Sequence, residues 1–228
     1  MRINKFLASC GLGSRRGCEE IIRTGQVVVN GEPCTDLATQ ISPGDSVEYG
    51  GRILQAAPHL YVAFHKPKGV ICTKSDEKQR KTIYGILPNE FRHLHYVGRL
   101  DKESEGLMLL TNDGDFSNAL THPANKVEKE YVVTTDHVVD KRDIKPLLEG
   151  VKTPDGIAVA TRVEHVAPRV LAIVLTQGLK RQIRVMLATL GYEVVRLVRI
   201  RIGRYGIDDI APGKWRRLTD SDLSKFKG

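Results

Sequence analysis

A carboxylate able to do chemistry ends the run His95-Tyr96-Val97-Gly98-Arg99-Leu100-Asp101, just before the turn Lys102-Glu103-Ser104-Glu105-Gly106 and the apolar stretch Leu107–Leu110. A sheet can present such an edge residue to a cleft, where a single carboxylate serves as a nucleophile or as a proton acceptor. Taken by itself, an aspartate beside Arg99 and Lys102 reads first as a paired turn residue. Tyr131 and Arg184 likewise read singly as an ordinary strand tyrosine and a helix-face phosphate contact. The four cysteines, Cys10, Cys18, Cys34 and Cys72, form neither CxxC pairs nor a dense disulfide scaffold. They read as buried thiols, and no metal is assigned to them.

The elements that must carry these residues can be read from periodicity. Apolar residues fall at helical spacing over Ile3–Leu7 and Cys18–Ile22, and Gly11-Leu12-Gly13-Ser14 between them supplies a turn and a cap. Val27-Val28-Val29 then runs into Asn30-Gly31, a strong hairpin signal, and Pro43-Gly44-Asp45 leads to a strand around Val47 and Tyr49. Residues 1–54 are therefore expected to form an αα-β unit, and residues 55–59 a linker. Residues 60–228 are expected to form a second, larger domain, which opens with a strand from Leu60 that stops at Lys66-Pro67-Lys68-Gly69. Beyond it, β-rich runs (70–73, 131–135, 170–175) alternate with helical ones (116–121, 141–148, 181–190). Thr111-Asn112-Asp113-Gly114-Asp115 makes a polar turn in which Asp115 is expected to cap the next helix. The class predicted is α+β, with a mixed, largely antiparallel sheet flanked by helices.

Charge is distributed unevenly. The chain carries +8, and between Gly178 and Arg217 ten basic residues stand against three acids, Glu193, Asp208 and Asp209. They alternate with Val, Ile and Leu, which predicts cations lining one face of ordered structure and a polyanion as partner. In the first unit Arg2, Lys5, Arg15, Arg16 and Arg23 lie in the helical part and offer phosphate contacts. No run reaches the roughly 18 apolar residues of a membrane span, and Met1-Arg2-Ile3-Asn4-Lys5 lacks a signal-peptide core. A soluble cytoplasmic protein that does not engage a membrane is expected.

Arg2-Ile3-Asn4-Lys5-Phe6-Leu7, Ser14-Arg15-Arg16 and Gly25–Gly31 together resemble the S4 RNA-binding domain. Gly98-Arg99-Leu100-Asp101-Lys102-Glu103-Ser104-Glu105-Gly106-Leu107, followed by Leu110–Gly114, resembles the signature of the RsuA/RluB/RluF family of ribosomal-RNA pseudouridine synthases. Three further stretches agree in order: Lys66-Pro67-Lys68-Gly69-Val70, Lys129-Glu130-Tyr131, and Gly178-Leu179-Lys180-Arg181-Gln182-Ile183-Arg184 leading to Gly191-Tyr192. One position departs from the pattern: Val185 stands where a further arginine often follows.

The resemblance implies that Asp101 is the catalytic carboxylate, Tyr131 lies against the target base, and Arg184 is the ion-pair partner that keeps Asp101 anionic in a water-excluding pocket. It implies RNA contacts from Lys66, Arg99, Lys180, Arg181 and Gln182 beside those of the first unit. No metal, redox agent or nucleotide cofactor is called for, and the chain is taken as a monomer. Structured rRNA is the expected substrate, 23S favoured over 16S or tRNA on the short stretches Gln177–Lys180 and Tyr192–Val194. Two other readings remain open: a non-catalytic RNA-binding ribosome-assembly factor, and a base-excising glycosylase.

Overall fold

Ser14 accepts a hydrogen bond from Gly17 N and so starts a helix in which Cys18 and Ile22, four residues apart, turn inward. In this computed structural model, which describes residues 1–74, 76–207 and 209–226, the chain divides into two units, Met1–His59 and Leu60–Gly228.

The first unit contains α1 (Ile3–Ser9), α2 (Arg15–Arg23), β1 (Val27–Val29), β2 (Glu32–Cys34), β3 (Val47–Tyr49) and β4 (Arg52–Ile53). Its sheet runs β2-β1-β3-β4, all antiparallel. Asn30 and Gly31 take φ of +51° and +86°, the left-handed pair that closes a tight hairpin with the natural strand twist. Ile3, Leu7, Cys18, Ile22, Val27 and Val47 are buried together as the core of this unit.

The second unit contains β5 (Tyr61–Lys66), β6 (His95–Val97), β7 (Glu105–Thr111), α3 (Gly114–Thr121), β8 (Lys129–Thr135), α4 (Ile144–Glu149), β9 (Val151–Thr153) and β10 (Gly156–Ala158). It continues with β11 (Arg162–Ala167), β12 (Val170–Leu175), α5 (Gln182–Thr189), β13 (Val194–Ile202), β14 (Tyr205–Gly206), β15 (Trp215–Arg217) and α6 (Asp220–Ser224). Its main sheet runs β11-β12-β8-β13-β7-β5-β15, with β14 beside β13 and β6 beside β7. Every described pairing in it is antiparallel except β13 with β7, which rests on two residue pairs, Val198 with Glu105 and Arg199 with Gly106. The fold is α+β with a mixed, largely antiparallel sheet.

That short parallel junction joins two sheet halves with separate cores on one face. On one half, Val133, Leu171, Ile173 and Leu197 pack under α4 and α5. On the other, Val62, Phe64, Met108 and Leu110 pack with Ile83, Phe91 and Leu94. The opposite face of the second half is covered through Ala63, Leu107, Leu109, Leu120 and Tyr205. Leu107–Leu110 is thus buried on both faces, which is why β7 reads as an unbroken apolar run.

Three local expectations need correction. Residues 70–73 make only an isolated bridge, Ile71 to Thr82, and not a strand: Ile71 N donates to Lys81 O and its carbonyl accepts from Ile83 N, and no second residue of the run is paired in register. The cap of α3 is Asp113 and not Asp115: it has extended backbone, and its carboxylate accepts from Asp115 N and Phe116 N. The helix expected over 141–148 begins as a 3-10 turn, Lys141–Asp143, before α4.

The C-terminal cations do not share one face. Register shifts in β13 after Val194 and after Arg199 break the alternation. Arg199 is only 2% exposed. Arg196 pairs with Glu105, Arg201 with Glu130 and Glu128, Arg216 with Asp222, and Arg217 with Glu90. Half of the ten are therefore buried or committed to acids, and Asp208, one of the three acids counted, lies outside the described residues.

Candidate active site

The β6–β7 loop that carries Asp101 is fixed almost entirely through its main chain. Five consecutive carbonyls, Leu100 to Ser104, each have a donor. The Cys72 thiol donates to Leu100 O at 3.2 Å and Ser104 N to Asp101 O at 3.1 Å. Gly69 N donates to Lys102 O at 2.8 Å, with Lys66 Nζ at 3.3 Å. Arg184 Nη2 donates to Glu103 O at 3.0 Å, and Lys66 Nζ to Ser104 O at 2.7 Å. The Asp101 side chain, by contrast, is half-buried and makes no hydrogen bond or ion pair among the described residues. Asp113 and Asp140 instead spend their carboxylates on a helix cap and on Arg142.

Lys66 ends β5 and is fully buried. Its ammonium donates to the carbonyls of Pro67, Lys102 and Ser104, and burial pulls its pKa down, with the nearby charges of Cys72, Asp101, Glu103 and Glu105 acting the other way. The expectation that Lys66 contacts RNA is corrected: its ammonium is spent on backbone carbonyls, two of them in the Asp101 loop and the third at Pro67. Gln182 is corrected for the same reason. It is 4% exposed and is occupied by Gln177 Oε1, Val159 O and Leu179 N, which tie the start of α5 to the preceding loop.

Arg184 projects from α5 and bridges Val194 O at 2.8 Å and Glu103 O at 3.0 Å. No described carboxylate lies within 4.0 Å of its guanidinium, so the direct ion pair expected with Asp101 is not present in this structure. The guanidinium grips the loop two residues past the aspartate instead. Burial and the neighbouring Arg181 lower its pKa, while Asp101, Glu103 and Glu193 raise it; Asp101 therefore acts on it through the local field.

Tyr131 lies in mid-β8, opposite Ile173 on β12 and Arg199 on β13, and packs against both cores. In cross-strand register the row reads Ile173, Tyr131, Arg199, Gly106, Lys66, so the tyrosine, the junction glycine and the loop-holding lysine share one line across the sheet. Arg199, which sequence reasoning counted only as part of a basic run, belongs to this line. Its Nε donates to Leu107 O at 2.7 Å, while its buried Nη2 has no partner among the described residues.

Of the expected RNA contacts, Arg99, Lys180 and Arg181 are exposed in the second unit. In the first unit Arg2, Arg15, Arg16 and Arg23 are exposed and Lys5 partly so, with Arg23 bridged to Glu20. A cavity of about 1050 Å³ bordered by Tyr61, Phe116, Val127 and Phe226 lies on the other sheet face, and no residue of the Asp101 site lines it. The Asp101 loop is held by Lys66, at the end of the cross-strand row that runs through Tyr131 at the seam between the two cores.

Lys129 begins β8, two residues before Tyr131. Burial, with repulsion from Arg199, pulls its pKa from 10.5 down to about 8. The unfolded chain thus binds a proton between these values that the folded chain has released, so this group makes stability rise with pH across that window. Lys129→Met is expected to flatten that part of the profile, measured as the difference in urea unfolding free energy between wild type and variant on either side of it. Parallel profiles would contradict the assignment.

Residues 60–189 match the model of the RNA pseudouridylate synthase family, and residues 1–47 match the S4 domain. The dual-specificity RNA pseudouridine synthase RluF of Escherichia coli K12 is 36% identical over 98% of this chain and 77% of its own length. The ribosomal large subunit pseudouridine synthase B of Bacillus subtilis is 30% identical over 99% of this chain and 95% of its own. A crystal structure of a pseudouridylate synthase superposes with a TM-score of 0.72 at 30% identity, covering 99% of both chains. The chain belongs to the RNA pseudouridylate synthase family and is a pseudouridine synthase that acts on RNA.

Proposed function

We propose that the chain converts uridine to pseudouridine in ribosomal RNA, 23S rRNA foremost, with Asp101 as the reacting carboxylate. The observation that carries this reading is the contrast at Asp101, between a main chain held at five carbonyls and a side chain left uncommitted. The reaction breaks the bond from ribose C1′ to uracil N1 and makes one from C1′ to C5; C5 gives up a proton and N1 gains one, so atoms and electrons balance. Asp101 acts as nucleophile or as base in this exchange. Tyr131, on the wall between the two cores, supports the detached ring by stacking. Arg184 and Lys66 position the aspartate through the carbonyls of its loop.

Reaching the glycosidic bond requires the uridine to leave its stack, which costs a few kcal/mol and least in loops and bulges. Arg99, Lys180 and Arg181 on the second unit and Arg2, Lys5, Arg15, Arg16 and Arg23 on the S4 unit supply cations for the phosphates. The name of the Bacillus relative, large subunit, favours 23S rRNA, while dual specificity in that of the Escherichia relative favours a second RNA target as well. Incubating the purified chain with 23S rRNA, 16S rRNA and tRNA transcripts, each labelled with tritium at uracil C5, is expected to release tritium from 23S rRNA. Release from 16S rRNA or tRNA alone would replace the substrate. Free uracil and abasic sites in any of the three would refute the isomerisation.

A further inference from the structure

Trp215 is the only tryptophan of the chain, and it stands exposed on β15 at the edge of the sheet. Its register partner is Phe64, so it shares a face with Lys66, two residues further along β5, whose ammonium holds the Asp101 loop. That offset is one strand spacing, about 4.8 Å, across the sheet and about 6.6 Å along it. The indole packs edge-to-face on buried Phe91, with centroids 4.6 Å apart and planes at 85°. The turn that carries Phe91 continues into exposed Arg92 and His93, and Lys74 donates to the His93 carbonyl. Lys214 precedes the tryptophan and is exposed. Lys74, Arg92 and Lys214 form no ion pair with a described residue, and the acid of the turn, Glu90, is taken up by Arg217 at 3.2 Å. An exposed aromatic side chain with exposed cations on its own strand and on the turn it packs against, none of them in an ion pair with a described residue, is a combination that holds single-stranded nucleic acid without reading its sequence.

We propose that this edge, Trp215 with Lys74, Arg92 and Lys214, binds the single-stranded RNA flanking the reacting uridine, with a base stacked on the indole and phosphates on the cations. The proposal rests on the chain acting on RNA and adds a docking surface to it. A flank held here keeps the target strand open beside Asp101, the condition under which a uridine leaves its stack most easily.

Because the protein has one tryptophan, its own emission reports on this site alone. Full-length protein is titrated with fluorescein-labelled oligouridylate, following indole emission and dye anisotropy together. Emission is expected to be quenched with the same midpoint as the anisotropy rise. Trp215→Leu is expected to bind about tenfold more weakly, within the range given by stacking one base on an aromatic ring, and Trp215→Phe to retain most of the affinity. Lys214→Gln is expected to reduce the slope of log affinity against log salt by about one. Anisotropy rising while the indole stays silent would overturn the proposal, as would no binding at all; neither result depends on Trp215→Leu folding. Tritium release from rRNA by the same wild-type protein is read separately, so a silent tryptophan in an active enzyme removes this surface and leaves the proposed function standing.

Discussion

Asp101→Asn is expected to lower pseudouridine formation by on the order of 10⁴-fold or more, about 5.5 kcal/mol of transition-state stabilisation at 1.36 kcal/mol per decade, with the melting temperature unchanged. An amide of the same shape neither attacks carbon nor takes up a proton, so the loss follows whether the carboxylate acts as nucleophile or as base. The structure makes this substitution unusually clean. The side chain has no described partner to lose, and the loop is held through carbonyls that asparagine leaves in place. Single-turnover assays on rRNA, with thermal melts of both proteins, test it. Activity within a factor of ten of wild type would take the catalytic role from Asp101, while a large drop in melting temperature would mean that the residue was holding structure.

The second large effect is on folding. Gly106 has φ of +109°, and a Cβ there would lie 2.2 Å from the carbonyl oxygen and 2.6 Å from the nitrogen of Arg199. These are backbone atoms of the neighbouring strand, so no rotamer change relieves the clash. Gly106→Ala is therefore expected to cost on the order of 4 kcal/mol or more, a large part of the 5–15 kcal/mol that holds an ordinary domain together. The loss should be cooperative because Gly106 and Arg199 form one of the two residue pairs joining the sheet halves. Urea unfolding is expected to show a lower midpoint or no folded baseline. A midpoint within experimental error of wild type would mean that the strands separate there at little cost.

Much of this architecture was legible in the sequence, for reasons that differ from element to element. The S4-like unit is built from local signals: Ser14 as a cap, Asn30-Gly31 as a turn, and Ile3, Leu7, Cys18 and Ile22 at helical spacing. Asp101 and Tyr131 were singled out through the family signature, not through their own chemistry. What escaped was long-range. The roles of Lys66 and Gln182 depend on burial under loops distant in sequence, and a charged or amide side chain gives no local sign of that. Arg199 was hidden because a bulged strand has no clean period-two pattern, so its place beside Tyr131 and Gly106 exists only in the cross-strand register. The missing Arg184–Asp101 pair has a similar origin: the motif names both residues, but Arg184 engages the Glu103 carbonyl, a backbone group that no sequence pattern distinguishes.

The hold on carbonyls 100–104 has a thermodynamic corollary for turnover. Conformational entropy of the Asp101 loop is surrendered once, when the polypeptide folds, and is not charged again at each encounter with substrate. The rearrangement that remains falls to the nucleic acid, which must unstack and rotate a nucleotide outward. Turnover should therefore follow the local melting of the RNA around the target uridine: mismatches or abasic neighbours that loosen it speed the reaction, and added base pairs around it slow it.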